Sequence, residues 1–310
     1  MSQITVIIPA YNESELIDEC LQSLLDQTHT DFKALIIDDA STDDTKSRIQ
    51  KYCKLSPQRI ELLEFGKVGP GRARNLAAAK AQSEWIAFMD ADCRATPDWL
   101  FKLNETYHNF PQADSVGGPH RAPPESSEFQ WSVEKFFRLS KRWIDFFQKD
   151  GGNVRECLHN PLCNTSYRRD LFLKFSGFRE DLFPGEDIEL DLRLRESGYR
   201  IFHNPEALVF HHRPENIERF RNVMFAYGRA QGKLVRERGI ERKIQWLGIL
   251  LIIPGLFMFA RPSWNNFCGI LINSLQWTNG FIYGFRTNRS DPPGMGAPTT
   301  ASSPILNQNS

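Results

Sequence analysis

Apolar positions along this chain fall into short β-branched runs, separated by polar turns and by stretches with helical spacing. Residues 4–8 form one such run, closed by Pro9 and a turn at Asn12. From 15 to 25, Leu16, Ile17, Cys20, Leu21, Leu24 and Leu25 recur at the intervals of a helix. Residues 32–37 read as a second strand ending at Asp38-Asp39, after which Ser41-Thr42-Asp43 is placed to cap a helix carrying Ile49. A third strand (60–65), a glycine-rich loop (66–71), an alanine-rich helix (75–81) and a fourth strand (85–89) lead to Asp90-Ala91-Asp92. Strands alternating with helices predict an α/β fold, a mostly parallel Rossmann-like sheet flanked by helices. Right-handed crossovers then bring the loops after the strands to one edge, where Tyr11, Glu13, Asp39, Arg74 and Asp92 can share a cleft.

The next third breaks at Gly117-Gly118-Pro119 and at Pro123-Pro124. Between Trp131 and Gln148, Val133, Phe136, Phe137, Ile144 and Phe147 share one helical face beside Lys135, Arg138, Lys141 and Arg142. This amphipathic helix either faces the core of an acceptor-side lobe or lies on a membrane surface. Asp187 opens another helix, where a carboxylate meets the positive end of the helix dipole, and it shares a face with Leu190 and Leu194, which points it inward. A short apolar strand at 207–210 ends at His211-His212-Arg213.

Composition narrows the class. At 310 residues and 41% hydrophobic content the chain can bury a full core, and 38 basic residues balance 38 acidic ones, so no global charge attracts nucleic acid. The six cysteines form no C-x-x-C pair and no zinc spacing, which suits a reduced, cytosolic catalytic domain. The residues before the first strand are too few and lack the basic flank of a secretory signal.

Asp90 and Asp92 offer two hard oxygen donors at a strand end, suited to Mg²⁺ or Mn²⁺ on a diphosphate. Tyr11 could stack on a base, Asp39 could accept a ring N–H, and Arg72 or Arg74 could neutralise phosphate. Taken singly these are a solvated turn, a loop aromatic, a helix cap and a solvated helix face. The 66–71 loop is not G-x-G-x-x-G, so no dinucleotide fingerprint is present.

Taken in order, Val6-Ile7-Ile8-Pro9-Ala10-Tyr11-Asn12-Glu13, Ile36-Ile37-Asp38-Asp39-Ala40-Ser41-Thr42-Asp43, Gly71-Arg72-Ala73-Arg74-Asn75, Phe88-Met89-Asp90-Ala91-Asp92 and Gly185-Glu186-Asp187 resemble the family 2 glycosyltransferases, inverting enzymes of the GT-A fold, over roughly residues 4–212. The resemblance implies that Pro9, Tyr11, Glu13 and Asp39 line a nucleoside pocket with Arg74 near it. It also implies that Asp90 and Asp92 match the metal-binding Asp-x-Asp, Asp92 as the direct ligand, and that Asp187 deprotonates an acceptor hydroxyl. His211, rather than His212, would complete the metal shell. Ala40 stands where many members have glycine. The Q-x-x-R-W motif of processive relatives is absent after Asp187, so transfer of one sugar is expected.

From Arg213 to Lys243 there are nine basic and four acidic residues, then a nearly uncharged stretch at 244–260 and a more polar one at 264–285. Basic flanks before the first stretch suit the cytosolic side of a membrane. After about residue 287, Pro, Gly, Ser, Thr and Asn dominate, the composition of a disordered tail.

The expected organisation is a nucleotide-sugar-binding half (1–118), an acceptor half with the base (119–215), a basic helix with membrane-associated segments (216–287) and a tail (288–310). The expected activity is transfer of one sugar from a nucleoside-diphosphate sugar, UDP-linked by family default, to an acceptor that the membrane segments suggest is polyprenyl-linked. The enzyme would use Mn²⁺ or Mg²⁺, sit at a membrane with its catalytic domain facing the cytoplasm, and bind no nucleic acid. A sugar nucleotidyltransferase would need a glycine-rich, lysine-bearing loop after the first strand, where Ala10-Tyr11-Asn12-Glu13 stands instead. A non-catalytic nucleotide-sugar-binding membrane protein would not need Asp90, Asp92 and Asp187 together.

Overall fold

The computed structural model describes residues 3–145, 152–238 and 276–286. Its central sheet begins with β1 (Ile4–Ala10), β2 (Phe32–Asp38), β3 (Ile60–Glu64) and β4 (Trp85–Phe88), parallel and ordered β3-β2-β1-β4. These strands are apolar on both faces because helices cover both faces. On one side, α1 (Ile17–Leu25), α2 (Thr45–Leu55) and α4 (Trp99–Asn109) bury Leu21, Ile49 and Trp99 against Val6 and Ile8. On the other, α3 (Pro70–Lys80), α6 (Arg169–Lys174) and α7 (Glu186–Glu196) bury Ala77, Phe172 and Leu190 against Ile7 and Phe88.

Two local expectations shift and a third holds. Pro9 does not close β1 but continues it opposite Ile37. Its ring nitrogen faces the side of β4, whose pairing with β1 stops at Phe88, so no ladder bond is lost. The helix expected from residue 75 starts at Pro70, because proline at the first helical position has the right φ and needs no N–H donor there. At the start of α2, Asp43 takes the Thr45 N–H at 3.0 Å.

The sheet is mostly parallel, as expected, with two antiparallel strands in its second half. Beyond β4 it continues with β9 (Thr165–Arg168), antiparallel to both neighbours, then β6 (Ser115–Gly117), β10 (Ile201–His203) and β8 (Arg155–Cys157). Residues from both sides of position 118 therefore share one sheet. A second sheet joins β5 (Cys93–Ala95), β11 (Val209–His211) and β7 (His120–Arg121), pairing His211 with Cys93. That register sets His211 beside the end of β4.

Helix α5 (Glu128–Asp145) buries Val133 and Phe136, and Phe136 meets Phe220 of α8 (Ile217–Arg238) edge-on at 5.5 Å. Its apolar face is thus turned to the core; its expected end near Gln148 lies outside the described residues. So do the stretch 244–260, the first part of 264–285 and the tail at 288–310. The helix at 276–286 packs backbone to backbone on α8. A Cβ added to Gly228 would stand 1.9 Å from the Trp277 carbonyl oxygen, and one on Gly280 2.1 Å from that of Phe225. Among the described residues no helix is long and apolar enough to cross a membrane.

Candidate active site

The loops after β1 and β2 are laced together. Asn12, in the left-handed region at φ 54°, accepts the Thr42 N–H at 2.8 Å and donates its own N–H to Ser41 Oγ at 3.0 Å. Asp39 is buried, and its Oδ1 accepts the Val68 and Gly69 N–H groups at 2.6 and 3.1 Å, which pins the 66–69 loop to the sheet edge. Lys67 lies 3.6 Å from Asp39 and covers one face of Tyr11, 2.7 Å from the ring centre. Tyr11 and Asp39 thus share one corner, just beyond Pro9. Glu13 stands nearer the Asp90 side. Its Oε2 is buried without a hydrogen-bond partner, and burial, then Asp92 and Asp90, push its carboxyl up to about 8 against the opposing Arg219.

At the end of β4, Asp90, Asp92 and His211 bring one donor atom each within 4.8 Å of one another. His211 Nε2 is 3.4 Å from Asp92 Oδ2, whereas His212 turns away to Glu19, also at 3.4 Å. Burial works against ionising Asp92, but His211 outweighs it and holds the carboxyl below its ordinary range. Burial likewise disfavours a charged His211, yet Asp92 and Cys163 raise it well above the ordinary imidazole value. Burial raises Asp90 in spite of Arg74. Two carboxylates and an imidazole, each 20 to 30% open to solvent, with the unpartnered Glu13 oxygen nearby, are a donor set and a charge excess that fit Mn²⁺ or Mg²⁺.

Arg74 does something the sequence did not indicate. Its guanidinium is buried and bridges Asp90 (2.5 Å) to Glu186 (3.1 Å), tying β4 to the start of α7. Glu186 is pushed up to about 8 by burial, which outweighs Arg74. The next residue, Asp187, points inward with 13% of its side chain exposed; it accepts the Ile188 N–H on Oδ1 at 2.8 Å and the Leu162 N–H on Oδ2 at 3.1 Å. The Arg74 bridge therefore ties the residue preceding the predicted base to one of the predicted metal ligands.

Several participants were not legible beforehand. From α8, Arg219 acts electrostatically on Glu13 and Asp92. Tyr227 of the same helix turns its hydroxyl inward, where burial and then Asp187 and Cys163 raise it. Behind His211 sits a cluster of Cys93, Cys163 and His120. Cys163 Sγ is 3.5 Å from His120 Nδ1, which is 3.3 Å from His211 Nδ1. Arg213 Nη1 stands 3.3 and 3.4 Å from those two nitrogens while its Nε and Nη2 donate to Glu134 at 2.8 and 2.7 Å. A guanidinium against both imidazoles opposes a second cation there; it supports His211 with Nε2 turned toward Asp92. Only Arg213, two residues after His211, carried any signal in the sequence.

Residues 5–175 match the model of the family described as glycosyl transferase family 2. The dolichyl N-acetyl-alpha-D-glucosaminyl phosphate 3-beta-D-2,3-diacetamido-2,3-dideoxy-beta-D-glucuronosyltransferase of Methanococcus voltae is 24% identical over 274 residues, 84% of each chain. TarS, the poly(ribitol-phosphate) beta-N-acetylglucosaminyltransferase of Staphylococcus aureus, is 37% identical over 94 residues, 30% of this chain but 16% of TarS itself. Among solved structures, the mannosyltransferase PcManGT of Pyrobaculum calidifontis, in complex with GDP-Man and Mn²⁺, superposes with a TM-score of 0.61 at 17% identity, covering 91% of this chain and 87% of that one. S. aureus TarS 1–349 with UDP-GlcNAc gives 0.54 at 18%, covering 90% and 92%. At such identities the likeness is one of fold, the α/β GT-A-like architecture. Because the family match takes in more than half of the chain, the protein belongs to glycosyl transferase family 2.

Proposed function

We propose that the protein is an inverting, metal-dependent transferase that moves one sugar from a nucleoside-diphosphate sugar to an acceptor hydroxyl. The observation that carries this reading is the Arg74 bridge, which joins the Asp90, Asp92 and His211 donor set to the start of α7, where Asp187 stands. Asp90, Asp92 and His211 would hold Mn²⁺ or Mg²⁺, whose chemistry when bound is to stabilise negative charge on the departing diphosphate. Tyr11 and Asp39, next to Pro9, would receive the nucleoside, UDP being the first donor to test; PcManGT with GDP-Man and TarS with UDP-GlcNAc leave both bases in play. Asp187 accepts the proton of the acceptor hydroxyl as that oxygen attacks the anomeric carbon opposite the leaving group.

We extend the proposal to a membrane-associated enzyme. Ile282, Tyr283 and Phe285 are 40 to 44% exposed on the helix packed against α8, and the apolar stretch 244–260 lies between these two helices in sequence. These exposed apolar residues support membrane association; a catalytic side toward the cytoplasm and a lipid-linked acceptor such as a polyprenyl-linked sugar belong to the same proposal. The deciding experiment measures nucleoside-diphosphate release from a panel of UDP- and GDP-sugars by membrane and detergent preparations, with Mn²⁺, Mg²⁺ or chelator. Release from one donor that needs metal and Asp92 supports the reading. No release together with no metal-dependent nucleotide binding overturns it.

A further inference from the structure

His159, in the loop after β8, places its ring between two carboxylates of α7. Nδ1 is 2.7 Å from Asp191 Oδ2, and Nε2 is 3.6 Å from Asp187 Oδ2. Asp191 is buried and also accepts the Tyr167 hydroxyl on Oδ1 at 2.8 Å. Burial raises the Asp191 carboxyl, while His159 and Tyr167 favour its charged form. Cys157 of β8 also faces this loop, its thiol 3.7 Å from the His159 carbonyl oxygen.

A carboxylate has about four acceptor sites, two on each oxygen. On Asp187, the Ile188 N–H takes one on Oδ1 and the Leu162 N–H takes one on Oδ2. His159 Nε2 faces Oδ2 at ion-pair distance, so the site left over is on Oδ1. An imidazole with a carboxylate at each nitrogen is best matched in its doubly protonated form, which presents an N–H to both.

We propose that His159 is a positioning residue for Asp187: as an imidazolium carried by Asp191, it occupies Oδ2 and leaves Oδ1 to receive the acceptor proton. The inference rests on the reading of Asp187 as the base. In the transfer step the acceptor oxygen forms its bond to the anomeric carbon, and the bond to the diphosphate oxygen breaks with its electron pair. The hydroxyl proton passes to Asp187 Oδ1, and His159 neither gives nor takes a proton.

The test begins with the full chain labelled with ¹⁵N in its histidine rings, the His159 signals being assigned by their loss in His159→Gln. Both ring nitrogens are expected to be protonated at pH 7. The titration midpoint should fall by roughly one pH unit in Asp191→Asn and by less in Asp187→Asn, following the two distances. A neutral His159 ring at pH 7, or a midpoint unmoved by Asp187→Asn, overturns the proposal. The second arm follows hydrolysis of the donor, with water as acceptor. His159→Gln should lower kcat about tenfold with the donor KM unchanged, and an unchanged kcat in an active preparation also overturns the proposal. The spectra need no turnover, so a wild type that neither releases nucleotide nor binds it with metal removes the transferase reading without deciding the His159 pairing, which the spectra decide separately. Thermal unfolding of each variant separates a lost contact from a lost fold.

Discussion

At the level of single residues, the two aspartates at the heart of the site should fail differently. Asp92 sits with His211 in the donor set, so Asp92→Asn should weaken metal-dependent nucleotide binding, read by calorimetry with and without Mn²⁺. Asp187 touches no member of that set, so Asp187→Asn should keep donor affinity and lower kcat by about a hundredfold or more, the range of general-base removal. Equal loss of binding in both variants would show that Asp187 belongs to the donor pocket instead. Ala40 carries a separate, structural prediction. It follows the Asp38-Asp39 pair at φ 63°, a left-handed conformation that costs an L-residue roughly 1–2 kcal/mol and glycine little. Ala40→Gly should therefore stabilise the fold by up to about 1 kcal/mol in denaturant titrations. A loss of stability would mean that the Ala40 side chain contributes packing despite its exposure.

At the level of elements, the second half of the site depends on how α5, β11 and α8 hold one another. Glu134 of α5 and Arg213, just after β11, form a buried pair in which two guanidinium N–H groups converge on Oε2, with side chains 2 and 5% exposed. Removing one partner of such a pair leaves a buried charge and typically costs about 3–5 kcal/mol. Glu134→Gln should cost nearly that much in equilibrium unfolding and should also weaken Mn²⁺ binding, because Arg213 supports His211. Loss of stability with unchanged Mn²⁺ affinity would separate the two roles. This part of the site was the hardest to read from the sequence. The four leading strands were legible because helices on both faces demand continuous apolar runs, and the acids at the ends of β2 and β4 followed from that alternation. The alternation gives no hint that β9 enters antiparallel between β4 and β6. Yet that insertion sets Asn164 and Cys163 beside β6 and the β5-β11-β7 sheet, and it brings Tyr167 to Asp191. The pairings Cys163–His120, His159–Asp191 and Arg213–Glu134 join residues 43, 32 and 79 positions apart, and no local period encodes them. The start of α3 was missed for a simpler reason. Gly69-Pro70-Gly71 reads as a loop until Pro70 is recognised as a first helical residue.

For the molecule as a whole, the gathering of acids at one sheet edge makes stability depend on pH and on metal. Unfolded Glu13 releases its proton above its ordinary value of 4.5, whereas folded Glu13 keeps it until about 8. Between those limits the native state binds the extra proton, so raising the pH drives unfolding. Glu186, raised mainly by burial, acts in the same direction. His211 is raised against burial by Asp92 and then Cys163, whereas Cys163 is lowered by Cys93 and then by His120 and His211; the two shifts have opposite signs, so their contributions largely offset each other. Glu13→Gln isolates the effect, since the amide has no proton to lose. Without metal, wild type should lose more of its Tm than Glu13→Gln between pH 5 and 8, by at least about 3 °C, given that about 1 kcal/mol moves Tm by roughly 2–4 °C in domains of 150–250 residues. Adding Mn²⁺ at pH 8 should narrow that difference, because a cation held by Asp90, Asp92 and His211 offsets the negative charge that Glu13 otherwise meets on ionising. Parallel Tm profiles for the two proteins, with and without Mn²⁺, would show that Glu13 ionises freely in the folded state and does not face the cation site.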